Sequence, residues 1–246
     1  MKQIGRKITR LESIDSTNNY TANLIKNGDL VHGSVILAVE QTNGRGQMGA
    51  EWHSMPGENL TMSLFLDDVN LSVEDQYFLT RFTALSIIDF LRKIGIHAQI
   101  KWPNDIYVGR NKIAGILIEN VLSKSTIKKS IVGIGLNVNQ EQKLYANATS
   151  LKVITGSHHS LDEVLFSLIG CFNARISEGL KTNQMEFDYL DHLYLLNQEA
   201  TFSDKDGEFE GTITGVHPSG KLCVLKNGYS VLYGLKEIVF KNGIVL

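Results

Sequence analysis

The chain has 246 residues, 43% hydrophobic and 20% charged, with a formal net charge of −2 and no long block of Lys or Arg, a composition that fits one large domain plus a small one and argues against a general nucleic-acid binder. Its two cysteines, Cys171 and Cys223, lack any Cys-x-x-Cys or Cys/His ligand spacing, so neither a disulfide framework nor a structural zinc site is expected. The first residues contain no apolar signal core and no later apolar run approaches the roughly 18 residues of a membrane span, so no membrane partner and a cytoplasmic location are expected.

Residues Ile4 to Leu11 read as an opening strand. Asp15, Ser16, Thr17 and Asn18 then gather capping side chains ahead of Tyr20, Leu24 and Ile25, whose spacing predicts a helix from about Asn18 to Asn27. A plain N-cap accounts for one of those four residues; a helix N-terminus with free N–H groups also offers a ligand site.

Ser34 to Glu40 is a predicted buried strand that runs into QTNGRGQMG, residues 41–49. The glycines match G-x-G-x-x-G, but a dinucleotide fold needs a helix immediately afterwards, and the following AEWHSMPG does not continue as one. No Lys-Ser/Thr follows either, so this is not a P-loop. Two readings stay open: a mobile flap whose backbone approaches a ligand while Arg45 meets an anion, and a plain flexible loop.

Leu60, Met62, Leu64 and Leu66 alternate with Thr61, Ser63 and Phe65, the period of a strand. From Glu74 to Lys93 the period becomes helical, with Phe78, Phe82, Leu85, Ile88 and Leu91 as a core stripe and Gly95 as the terminator. His97 to Lys101 re-enters the sheet.

The densest polar cluster lies between Lys101 and Glu119, where Lys101, Asn104, Asp105 and Lys112 are set among strand-forming residues. Ile106 to Val108 and Ile113 to Ile118 are predicted strands joined at Gly109-Arg110-Asn111. The second is apolar enough to be covered on both faces, which puts Lys112 at the mouth of a low-dielectric region and in need of an anionic partner. The alternative is an exposed hairpin lysine.

Ser130 to Val138 is a further buried strand, with Gly133 and Gly135 where another group must approach closely, and Asn137 as a ligand contact or a strand cap. Helical patterns return from Leu161 to Leu180 and from Glu186 to Leu196, and His158-His159 reads as a solvated linker rather than a metal site. Between Ala200 and Leu246 short strands alternate with Lys205-Asp206-Gly207, Pro218-Ser219-Gly220, Asn227-Gly228 and Asn242-Gly243, predicting a small antiparallel barrel docked on the main domain.

Five motifs, in order and over almost the whole length, resemble the biotin protein ligases, the biotin–acetyl-CoA-carboxylase ligase family. They are Ser16-Thr17-Asn18, GRGQMGAEW from Gly44 to Trp52, KWPND from Lys101 to Asp105, KIAGIL from Lys112 to Leu117, and GIGLN from Gly133 to Asn137. Each is weak alone; the ordered set is specific. The resemblance implies an α+β fold: a mixed-sheet catalytic domain of the biotin/lipoate ligase type over residues 1–197 and a small SH3-like C-terminal β-barrel over 198–246. It implies an ATP-dependent enzyme that makes biotinyl-5′-AMP and pyrophosphate from biotin and MgATP. The biotinyl group then passes to a lysine of a biotin carboxyl carrier domain of a biotin-dependent carboxylase. ATP and Mg2+ would enter as co-substrate and biotin as substrate, with no tightly bound cofactor.

Carried over position by position, Ser16, Thr17, Asn18 and Gln41 look like contacts to the biotin ureido ring and its surroundings. Arg45, Gly46 and Gln47 look like the loop that touches biotin and phosphate. Lys112 looks like the lysine shared by carboxylate and phosphate, with Gly115 also on the biotin side. Trp52, Asn104 and Asn137, together with Arg45 and Lys112, resemble ATP contacts, and Asp105 is the choice for magnesium or for handling the incoming amine. Arg45 and Lys112 are the catalytic cations, since a carboxylate cannot approach an α-phosphate until their mutual repulsion is screened.

The chain departs from the family's commonest loop, which is richer in Arg: Gln47, Met48, Ala50 and Glu51 stand where basic residues are frequent, which predicts a weaker hold on the adenylate. Some members carry an N-terminal DNA-binding domain; here the Ser-Thr-Asn motif is reached at residue 16, so repression of a biotin operon is not expected. The competing readings are a lipoate or octanoate ligase or transferase of the related fold and a non-catalytic biotinyl-adenylate sensor acting through dimerisation. Whether the chain is a homodimer is left open by the sequence.

Overall fold

Eight consecutive buried residues, Asn59–Leu66, form the strand around which the larger sheet is assembled. The computed structural model describes residues 2–141, 147–178 and 182–242. In chain order the elements that precede this central strand are β1 (Lys7–Ile14), α1 (Thr17–Asn27) and β2 (Ser34–Gln41), and the strand itself is β3. Strand β1 starts later than the expected Ile4; Ile4 is buried under Asn173, whose amide exchanges two hydrogen bonds with its backbone at 2.8 and 3.0 Å. Strands β1 and β2 are parallel, and α1 supplies the crossover that parallel neighbours need, while β2 and β3 are antiparallel.

After β4 (Leu71–Ser72) the chain enters α2 (Tyr77–Lys93), then β5 (Gln99–Lys101), β6 (Asp105–Val108), β7 (Asn111–Ser123) and β8 (Thr126–Asn137). The sheet runs β1-β2-β3-β8-β7-β6-β5, with β4 paired to β8. Helix α2 is shorter at its start than predicted, because residues 73–75 make a separate 3-10 turn capped by the Ser72 hydroxyl. It ends as predicted, with Gly95 at φ 79° and bonds from Gly95 and Ile96 N–H back to Arg92 and Leu91 carbonyls. The predicted single stripe becomes burial nearly all round, from Leu79 to Leu91, since α4 and α5 pack on it as well as the sheet.

The hairpin between β6 and β7 closes on Gly109 and Arg110, and Asn111 pairs with Val108 as part of β7. Strand β7 is not covered on both faces: Ile113, Ala114 and Ile116 are buried, whereas Gly115 and Leu117 face a cleft and are half-buried. Further helices are α3 (Leu151–Thr155), α4 (Leu161–Ser177) and α5 (Thr182–Asp191). Leu180, expected at the end of the first of the two predicted helices, lies outside the described residues. The second ends at Asp191 rather than Leu196, since Leu193 leaves the helix to bridge Ile100 at the sheet edge.

The tail forms a five-stranded antiparallel sheet of β9 (Glu199–Asp204), β10 (Gly207–Val216), β11 (Leu222–Lys226), β12 (Tyr229–Tyr233) and β13 (Val239–Asn242), in the order β12-β11-β10-β9-β13. Where a barrel is expected the tail shows an antiparallel sheet of five strands, and among the described residues no ladder joins β12 to β13. Asn242 ends β13, and Gly243 of the predicted Asn242-Gly243 turn lies outside the described residues. Asn227 and Gly228, both at positive φ, make the two-residue turn their sequence predicts. Several contacts fasten the second sheet to the first unit. Arg81 Nη2 donates to the Val216 carbonyl at 3.1 Å, Trp102 Nε1 donates to the Gly220 carbonyl at 2.8 Å, and Gly220 packs on the Tyr77 ring. The KWPND segment is therefore anchored from both sides, since Tyr77 also donates to the Pro103 carbonyl at 3.1 Å.

Candidate active site

A cleft of about 500 Å³ opens between the N-terminus of α1, the loop 44–52, the exposed faces of β7 and β8, the KWPND segment and residues 235–240 of the tail. Glycines make the floor. A Cβ on Gly135 would overlap the Trp52 indole and one on Gly133 would press on the Asn18 amide, so these two positions admit the close approaches expected there. The approaching groups are side chains of the chain itself. At Gly115 a Cβ would stand 3.2 Å from Lys112 Nζ and 3.3 Å from the Trp52 ring.

Lys112 has the anionic partner its position calls for. Its Nζ lies 2.6 Å from Asp105 Oδ1, with 31% and 23% of the two side chains exposed, and 5.6 Å from the centre of the Trp52 ring. Neighbouring Tyr107 has its phenol pKa raised by burial and then by the Asp105 charge, with Lys112 opposing. Asn104 holds the adjoining turn to β7, its amide donating to the Ile116 carbonyl at 2.6 Å.

The loop after β2 is folded upon itself rather than open. Trp52 N–H bonds the Gly44 carbonyl at 2.9 Å, Gly46 N–H the Ala50 carbonyl at 2.6 Å, and Arg45 pairs with Glu51 as an isolated bridge. At its tip Met48 is at φ 55°, and the Met48 carbonyl accepts from Lys236 Nζ of the tail at 3.2 Å. Arg45 reaches inward, with Nη2 at 2.8 and 2.7 Å from the two oxygens of Glu119. Its Nε and the Trp52 Nε1 are buried without a hydrogen-bond partner among the described residues. Buried donors are normally paired, and both of these belong to residues that line the cleft.

At the α1 N-terminus Ser16 provides no side-chain cap. The free helix N–H groups are met from another strand instead: Gln41 Oε1 accepts from Thr17 N–H at 2.8 Å and from Thr17 Oγ1 at 3.1 Å. Ser63 Oγ lies 2.8 Å from Thr17 Oγ1 and 2.6 Å from Asn18 Oδ1. Asn18 Nδ2 donates to Glu119 Oε2 at 2.8 Å.

Of the residues singled out in the sequence, Ser16, Thr17, Asn18, Gln41, Arg45, Gly46, Gln47, Trp52, Asn104, Asp105, Lys112 and Gly115 all line this cleft. Asn137 does not. It is buried, and its amide donates to the Thr149 carbonyl at 2.9 Å, the cap-like alternative left open for it. Sequence reasoning missed Glu119, Ser63 and the tail residues Leu235, Lys236, Ile238, Val239 and Phe240. A signal for Glu119 exists, since it continues the cleft-facing alternation Gly115, Leu117, Glu119 along β7. Nothing local marks the tail, which reaches the cleft only through the packing of the second sheet. His159 bonds Thr155 Oγ1 at 2.7 Å, and no group of three or more His, Cys, Asp or Glu side chains suited to a metal occurs among the described residues. No helix among them is long and apolar enough to cross a membrane.

Cations from three parts of the chain, Arg45, Lys101 with Lys112, and Lys236, line the cleft against Glu51 and Asp105, which favours an anionic ligand. The model of the biotin/lipoate A/B protein ligase family matches residues 11–137. The bifunctional ligase/repressor BirA of Bacillus subtilis is 30% identical over 244 residues, covering 96% of this chain and 73% of that protein. A biotin–[acetyl-CoA-carboxylase] ligase of Mycobacterium tuberculosis is 24% identical over 240 residues, covering 94% of this chain and 88% of its own. Among solved structures, the biotin protein ligase of Aquifex aeolicus in complex with biotin and ATP superposes with a TM-score of 0.78 at 27% identity, covering 96% of this chain and 99% of that one.

Proposed function

Since this chain belongs to the biotin/lipoate A/B protein ligase family, we propose that it is an ATP-dependent biotin protein ligase acting through biotinyl-5′-AMP. The observation that carries the reading is the convergence of Arg45 and Lys112 on one cleft beside two unpaired buried N–H groups. The first half-reaction joins a carboxylate to an α-phosphate, and fixed cations that serve both anions lower their repulsion as charge develops in the transition state. Lys112 has this role, with Asp105 orienting its ammonium, and Arg45 has it from the loop. Ser16 and Gln41, at the α1 end of the cleft, offer neutral polar groups suited to the ureido ring.

Magnesium would accompany ATP and screen its phosphates. This cation is usually held by one or two carboxylates plus phosphate oxygens and water, and Asp105, with Oδ1 on Lys112, is the carboxylate of the KWPND segment that would hold it. In the second half-reaction a neutral acceptor lysine attacks the acyl carbon of the adenylate. The amide C–N bond forms, the acyl C–O bond breaks with its electron pair going to AMP, and the amine loses a proton. The adenylate must be kept from water until then, and the loop 44–52 with tail residues 235–240 supplies the walls that would do so.

We assign residues 1–197 to the catalytic unit and 198–246 to the C-terminal one, a division supported by the change from the first sheet to the second between α5 and β9. The acceptor is a biotin carboxyl carrier protein or domain of a biotin-dependent carboxylase, and a cytoplasmic setting is part of the proposal. Pyrophosphate release from MgATP, with biotin and with lipoate or octanoate in parallel, tests the reading in the parent and in Lys112→Ala. Release driven by biotin and lost in the variant is expected. Release driven by lipoate instead would retain the roles of Arg45 and Lys112 and overturn the substrate.

A further inference from the structure

Glu119 lies outside every motif that identifies the site, yet it joins two of the site's elements. Its carboxylate accepts from Arg45 Nη2 of the loop at 2.8 and 2.7 Å and from Asn18 Nδ2 of α1 at 2.8 Å. The Asn18 amide also donates to the Leu117 carbonyl at 3.3 Å, and its oxygen lies 2.6 Å from Ser63 Oγ. Protein groups thus meet both ends of that amide and fix which way it faces. Arg45 is held differently. The hydrogen bonds to Glu119 use Nη2, while Nε is buried and unpaired.

A carboxylate beside a cleft that gathers two anions would repel both unless its charge were matched. Here it is matched by Arg45, the loop's own cation. With 37% and 38% of the two side chains exposed, the pair adds little to the stability of the fold, so its value lies elsewhere. We propose that Glu119 is a positioning residue for adenylate formation and retention: it holds the Arg45 guanidinium at the wall of the cleft, and it locks the Asn18 amide. The proposal deepens the ligase reading and rests on it. Without the Glu119 charge, the long Arg45 side chain must be ordered by the ligand itself, and that cost appears in ligand affinity.

Glu119→Gln preserves shape and removes the charge. With biotin and MgATP, the biotin KM for pyrophosphate release and the rate of adenylate dissociation are each expected to rise about tenfold, the scale of one charge-assisted hydrogen bond. Transfer from preformed bound adenylate to an acceptor domain should be unchanged, as should the melting temperature. In an Arg45→Ala background the same substitution should no longer raise KM, since Gln keeps an acceptor for Asn18 and removes a carboxylate that Arg45 no longer matches. Unchanged KM and dissociation in Glu119→Gln would overturn the proposal, and so would a full additive loss in the double variant. A folded parent that releases no pyrophosphate with biotin would overturn the ligase reading, and this proposal with it, before any variant is compared.

Discussion

Lys112 Nζ and Asp105 Oδ1 meet at 2.6 Å although the two residues are not opposite one another: Asp105 is paired with Gly115 and Lys112 with Tyr107, across a register shift between Ile106 and Tyr107. The ammonium reaches the carboxylate by folding back over Gly115, where a side chain would stand in its way. That places a cation of fixed direction in the cleft. Lys112→Ala should lower single-turnover adenylate formation by about 10²–10³-fold, the scale for removal of one preorganised donor. A loss smaller than tenfold would remove Lys112 from the chemical step.

Asp105 has two candidate roles that separate by half-reaction. If it holds magnesium, Asp105→Asn slows adenylate formation and raises the Mg2+ concentration needed to saturate it, leaving transfer from preformed adenylate intact. This is the expected result. A defect confined to transfer would assign the carboxylate to the incoming amine instead.

Gly135→Ala tests the floor of the cleft. Strand β8 has extended backbone there, so the substitution acts through space alone, and the new methyl collides with the Trp52 indole. Displacing that ring disturbs Lys112, which lies against it, and should cost about 1–3 kcal/mol of stability as an overpacking change. Adenylate formation should fall more steeply than stability. Thermal melting and pyrophosphate release on the same preparation check this, and parent-like activity would show that Trp52 can move aside.

How much of this was legible in the sequence depends on how local each signal is. The strand periods around Leu60 to Leu66 and Ile113 to Ile118, the αL glycine after α2 and the Asn227-Gly228 turn are short-range signals, and the corresponding elements are present. The polar motifs were legible too, because several unusual residues at fixed order have few bland explanations. What failed were statements about surroundings. The apolarity of β7 predicts burial of both its faces, whereas the cleft occupies one of them. The place of Asn137 at a strand end leaves a ligand contact and a strand cap both open, and what its amide meets is the Thr149 carbonyl of a segment brought close by tertiary packing. Glu119 is marked only by the alternation it continues along β7, and Lys236 reaches the site from a part of the chain whose local sequence has no motif to mark it.

In the second sheet, the Asp204 carboxylate accepts from Lys226 Nζ at 2.6 Å and from Tyr233 at 2.7 Å. The Lys226 bond, then the Tyr233 bond, lower its pKa from 3.8 to about 2. A carboxyl group whose folded pKa is depressed contributes stability in full above its unfolded pKa and loses it as pH falls through the folded value. The contribution is therefore present at neutral pH and fades between about pH 4 and pH 2. Asp204→Asn should lower the melting temperature at pH 7 and lower it less as the pH approaches 2. An equal decrement at both pH values would show that the carboxylate's charge is irrelevant to the sheet.

The loop offers the prediction with the clearest sign. Between Gly44 and Gly49 the only cation is Arg45, and its guanidinium is already engaged by Glu119. The tip is held by a neutral backbone acceptor, the Met48 carbonyl bonded to Lys236, rather than by a charge directed at ligand. Gln47 lines the cleft between these two points, so a guanidinium there would add charge-assisted donors to the phosphate of the adenylate without displacing an existing contact of the ion pair. Gln47→Arg should therefore slow adenylate dissociation by about tenfold, the scale of one hydrogen bond to a charged group, while leaving the rate of adenylate formation near that of the parent. Dissociation followed by chase with unlabelled biotin and ATP reads the effect directly. If the variant releases adenylate as fast as the parent, the loss of basic residues from this loop does not set how tightly the intermediate is held, and the enclosing tail segment becomes the better place to look.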